Sequence, residues 1–138
     1  MENRTRIELP AQVERPFEVF VNGVQQVEGT DFDFRQPSAI GKTVLDHCFT
    51  DLARDTDGHA AVRLSDPGGR SVTLWVDESY GYVMVFSGDP LSDVARRSLA
   101  VEPMTCPPNA FRTGDDVIRL EPGDSTTGAW GIVATRDA

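Results

Sequence analysis

Apolar residues recur at every second position through much of this chain, and the runs are cut short by glycine, proline and aspartate. A period of two puts successive side chains on opposite faces of a strand, so this alternation predicts half-buried β-structure. In FEVFVNGVQQV, residues 17–27, Phe17, Val19 and Val21 alternate with Glu18 and Phe20. Asn22 and Gly23 tolerate the positive φ of a two-residue hairpin turn. In AVRLSDPGGRSVTLWV, residues 61–76, a turn over 65–69 separates two strands. Val72, Leu74 and Val76 are expected on one face, and Ser71, Thr73 and Trp75 on the other. YVMVFSG, VIRLEPG and GAWGIVAT read as further strands. No window carries a helical stripe, and LSDVARRSL accounts for one or two turns. The expected fold is therefore all-β, an antiparallel sandwich or barrel, with residues 1–138 forming one domain.

At 138 residues the chain is long enough to bury a core without help from disulfides or metals. Its 22 acidic and 13 basic residues leave a net charge of −9, which repels nucleic acid and anionic membranes and favours a neutral ligand or a protein partner. Apolar runs last only a few residues, against the roughly 20 that a spanning helix needs. MENRTRIELP has no apolar stretch of the kind a signal peptide carries, which predicts a cytoplasmic protein. Cys48 and Cys106 lack zinc-site spacing and are expected as thiols.

Several motifs fail on their own chemistry. AIGKT ends like a phosphate loop, but the first glycine of that pattern falls on Gln36, so the amides cannot wrap a phosphate. DTDG, residues 55–58, would place Ala53 and Leu64 at calcium-ligand positions, and a tight turn explains it better. His47 and His59 have no metal spacing. Two stretches stand out. In TVLDHCFTDL, residues 43–52, Asp46 and His47 interrupt an apolar run, so a buried Asp46 would need donors from the protein or a ligand. In SLAVEPMTCPPNAF, residues 98–111, Pro103, Pro107 and Pro108 are expected to end a strand and leave Glu102 at its exit, beside a stiff loop.

VEGTDFDFR, LDHCFTDL, RRSLAVEPMTCPPNAF and LEPGDS occur in the order and approximate spacing found in aldose 1-epimerases, the galactose mutarotase family, and most resemble bacterial members. The resemblance covers residues 27–130. It implies a galactose mutarotase-like antiparallel β-sandwich that binds a free sugar such as glucose or galactose and interconverts its α and β anomers without a cofactor. It assigns Glu102 as the catalytic base and Asp46 as a contact to sugar hydroxyls. Mutarotation takes a proton from the anomeric hydroxyl and gives one to the ring oxygen, and a carboxylate can perform the first task. Trp75, Tyr82 and Phe111 are available to face a sugar ring, and are assigned to the core first.

Family members are about twice this length, and the match is to their C-terminal half. The family's catalytic acid, a histidine of the N-terminal half, has no counterpart here: His47 fills the DH position and His59 lies in a turn. Three readings follow. The chain is part of an epimerase completed by a missing half, a sugar-binding module, or a self-associating structural protein. Half a sandwich leaves edges and apolar surface uncovered, which predicts a homodimer or association with the missing half.

Overall fold

The computed structural model describes residues 6–8, 18–20 and 24–136. In chain order the strands are β1 (Arg6–Glu8), β2 (Glu18–Phe20), β3 (Val24–Gln26), β4 (Ser38–Ala39), β5 (Asp46–Thr50), β6 (Ala60–Ser65), β7 (Arg70–Val76), β8 (Tyr82–Phe86), β9 (Ala100–Met104) and β10 (Trp130–Arg136). A 3-10 turn at Ser92–Val94 precedes β9, and a one-turn helix α1, Ala110–Thr113, follows it. The strands form two five-stranded sheets, ordered β10-β7-β6-β1-β4 and β3-β2-β5-β8-β9. Every pairing is antiparallel. The expected all-β antiparallel sandwich is what the chain forms.

The alternation places the core between the sheets. Phe49, Val83 and Val85 of the second sheet pack with Val62 of the first, closed at one end by Val27, Phe34, Ile40 and Leu45. Leu45 and Val27 are fully enclosed, each worth about 1.5–3 kcal/mol relative to exposure. The seam between Phe34, Phe49, Val62, Leu74 and Val85 holds only about 20 Å³ of free space, room for one water at most and no polar group to hold it. It is packing, not a ligand cavity.

The hairpin of β6 and β7 forms as expected. β2 and β3 pair antiparallel with Phe20 opposite Val24, and the Asn22–Gly23 turn expected between them lies outside the described residues, as do Phe17 and Val21. Between β6 and β7 the Asp66 carboxylate accepts the N–H groups of Gly68 and Arg70 at 2.8 and 3.0 Å, which fixes the turn. Residues 55–58 are likewise a turn, with Asp55 accepting from Asp57 and His59.

Three expectations change. VIRLEPG is not a strand: residues 117–120 belong to neither sheet, and Ile118 and Leu120 are 44% and 48% exposed. Pro103 does not stop its strand, because β9 is an edge, where a residue lacking an N–H leaves no neighbour unpaired. Phe111 is not a core residue. It is 95% exposed, since α1 is a single turn that buries Ala110 and turns the next side chain outward.

Candidate functional site

Register decides which side chains share a face. Across the second sheet Asp46 lies opposite Phe86, and Phe86 opposite Ala100; Cys48 lies opposite Met84, and Met84 opposite Glu102. All six belong to the face turned away from the core, while His47, Phe49, Val83, Val85 and Val101 occupy the inner face. Asp46 and Glu102 therefore stand on one surface, two strands and two residues apart, roughly 12 Å between their Cα positions. Both are exposed, and Phe86 and Met84 lie half-buried between them. Glu102 is in mid-strand, not at a strand exit.

The start of β5 is held by a polar clamp. The buried Ser87 hydroxyl accepts the Leu45 N–H at 2.9 Å and donates to Asp89, while the Ser87 N–H donates to the Leu45 carbonyl at 2.8 Å. The Arg96 guanidinium donates to Asp89 at 2.7 Å and to the carbonyls of Thr43 and Gly41 at 3.1 and 2.8 Å. Bonds from Ser87, then from Arg96, keep the Asp89 carboxyl below its usual range. Asp46, the next residue after Leu45, is thereby anchored through its backbone while its carboxylate faces solvent. The carboxylate is not buried, so the donors a buried Asp46 would have required are not needed.

At the other end of this face the segment after β9 folds back. The Tyr82 hydroxyl donates to Asp116, and burial followed by this bond pushes the phenol up to about 12. Cys48 is 1% exposed, and burial, with Cys106 nearby, pushes its thiol up to about 12, which leaves it inert as a nucleophile. The open part of the face is thus the patch around Asp46, Phe86, Met84 and Glu102.

Neither histidine joins it. His47 points into the sandwich, its ring 4.2 Å from that of Phe32 between centroids. Its Nδ1 accepts the Asp46 N–H at 3.0 Å, and burial holds its pKa below the ordinary value despite the Asp46 charge. His59 stacks on Trp75 of the first sheet at 4.7 Å. Of the aromatics available to face a sugar ring but assigned first to the core, Tyr82 shares the face with Glu102 by strand parity, and its hydroxyl donates to Asp116. Phe86 and Met84, which do flank the carboxylates, carry no signal in the sequence, because their position depends on which strands pair.

The sequence model of the aldose 1-epimerase family matches residues 5–132. The chain belongs to the aldose 1-epimerase family. Among its relatives is the uncharacterized protein YihR of Escherichia coli (strain K12), 40% identical over 103 residues. That alignment covers 72% of this chain and 30% of YihR, so the chain spans about a third of the length of this relative. The family match reaches well before residue 27, into the strands β1 and β2, where wording alone carries no resemblance. Among the described residues, no group of three or more His, Cys, Asp and Glu side chains is arranged to hold a metal, and no helix is long and apolar enough to cross a membrane.

Proposed function

We propose that this chain supplies the base and a hydroxyl contact of an aldose 1-epimerase-type sugar site. The observation that carries the reading is the placement of Asp46 and Glu102 on one exposed face with apolar Phe86 and Met84 between them, in a chain of this family. A pyranose offers a neutral apolar face edged by hydroxyls, so a floor of Phe86 and Met84 with a carboxylate at each side matches its chemistry. Glu102 accepts the anomeric proton, the bond from C1 to the ring oxygen breaks, and an acid protonates that oxygen. The free aldehyde turns about its bond to C2, and the steps reverse to close the other anomer.

The acid has to come from outside the described residues, from water, from a second copy of the chain, or from a polypeptide carrying the part of the relatives that this chain does not match. Uncovered apolar residues support such an association, either as a homodimer or with that further polypeptide: Trp130 is 53% and Ile132 60% exposed. With water as the acid, the chain alone is expected to run about a hundred to ten thousand times slower than a complete acid and base pair.

Polarimetry on α-glucose and α-galactose tests this. A mutarotation rate above buffer, abolished by Glu102→Gln, is expected; a wild-type rate equal to buffer removes the catalytic reading for the chain on its own. The inward turn of His47 favours a second reading, a sugar-binding module that no longer catalyses.

A further inference from the structure

The described sheets present four edges, and three of them are blunted. β4 has two residues, β3 has three, and β9 carries Glu102 and Pro103. Short strands, charges and prolines are the usual means by which a sheet avoids pairing with another chain. β10 has none of these. It pairs with β7 over all seven of its residues, WGIVATR, without a proline and with its only charge at the end. Gly131 permits this regular pairing by making room for the Trp75 indole, whose Nε1 would lie 2.6 Å from a Cβ there.

The inner side of this edge is also unfinished. Trp130, Ile132 and Ala134 lie opposite Val76, Leu74 and Val72, so they belong to the face that looks toward the second sheet. The second sheet does not reach them: Val72, Trp130 and Ile132 are 44%, 53% and 60% exposed. An apolar groove of about 140 Å³ runs beside Val72 and Ile132, lined also by Leu99 and Val101. A strand added to β10 would satisfy the free backbone groups and bring every second side chain over this groove, so those side chains should be apolar.

β10 is itself such a strand. We infer that two copies of the chain pair β10 against β10, antiparallel about a two-fold axis at Val133, joining the two first sheets into one of ten strands. In this register the apolar Ile132 lies opposite Ala134 of the second copy, on both sides of the axis, and both belong to the inward face. On a chain of net charge −9, this edge is a place where two copies approach without bringing carboxylates together. The contact uses the same surface on both copies, as a two-fold dimer requires.

The inference deepens the self-association in the proposed function and rests on it, and the test separates them. Sedimentation at micromolar concentration is expected to show a dimer, and Ile132→Lys to raise its dissociation constant about a hundredfold or more, because an unpaired ammonium would be pressed into an apolar contact. Residues facing each other across an antiparallel pair lie about 4.5–5.5 Å apart at Cα, within disulfide range. Val133→Cys treated with oxidised glutathione should therefore form a 133–133 disulfide found by peptide mapping, and Ile118→Cys should not. This second variant decides the matter should Ile132→Lys not fold. A wild-type monomer overturns both the dimer and its interface; a dimer that does not cross-link through residue 133 keeps the self-association and overturns β10 as its site.

Discussion

Asp46 and His47 leave β5 in opposite directions, and one turns to solvent while the other enters the sandwich. The consequence for His47 is measurable. Burial keeps its folded pKa below the ordinary 6.5, so the unfolded chain binds the proton more readily than the folded one. Its contribution to stability is complete above about pH 6.5 and is lost as pH falls through the lower folded value. Urea midpoints measured across that range should fall toward acid, and His47→Gln should flatten the fall; an unchanged slope in the variant would remove His47 as its source. The sequence showed that a polar pair interrupts an apolar run, but not that the two residues part. That follows from strand parity, which puts Leu45, His47 and Phe49 on one side and Asp46 and Cys48 on the other. Glu102 stands out in the sequence through its motif, but its mid-strand setting is not legible there because proline's effect depends on whether the strand is an edge.

The start of β5 hangs on one long-range contact, between Leu45 and Ser87. Ser87, 3% exposed, satisfies both backbone groups of Leu45 and passes the link through Asp89 to Arg96, whose own backbone is held at φ 57°. Removing the hydroxyl leaves the buried Leu45 N–H without an acceptor, an effect of about 1–3 kcal/mol. Ser87→Ala is expected to lower stability by that amount in urea titrations and to loosen the turn over residues 41–45, seen as faster amide exchange. Exchange that quickened only at β10 would contradict the clamp. None of this was visible in the local pattern, since Ser87 reads as an ordinary strand-end residue and its partner lies 42 positions away. Hairpins were readable because their signals are contiguous. The strand expected at residues 117–120 failed for the complementary reason: its pattern is right, but neither sheet offers it a neighbour.

At the scale of the whole molecule, the period-two pattern was enough for an antiparallel sandwich, whereas sheet order, and so the meeting of Asp46 with Glu102, arises from pairings distant in sequence. The same scale limits what the site can achieve. Sugar sites that bind well enclose most of their ligand, and the face bearing Asp46, Phe86, Met84 and Glu102 offers one side only. A hexose has about 12 non-hydrogen atoms, and at about 0.3 kcal/mol per atom the interaction reaches about 3.6 kcal/mol, a Kd of a few millimolar. A chemical-shift titration with glucose or galactose should give a Kd in that range, with perturbed amides in β5, β8 and β9. Asp46→Ala should weaken binding about tenfold or more, the effect of removing a charged acceptor from a hydroxyl. Binding that is micromolar would mean that a second chain closes the face, and it should then weaken on dilution as that chain departs. Shifts confined to the first sheet, or none at tens of millimolar sugar, would mean that Asp46 and Glu102 share this face for a reason other than a sugar.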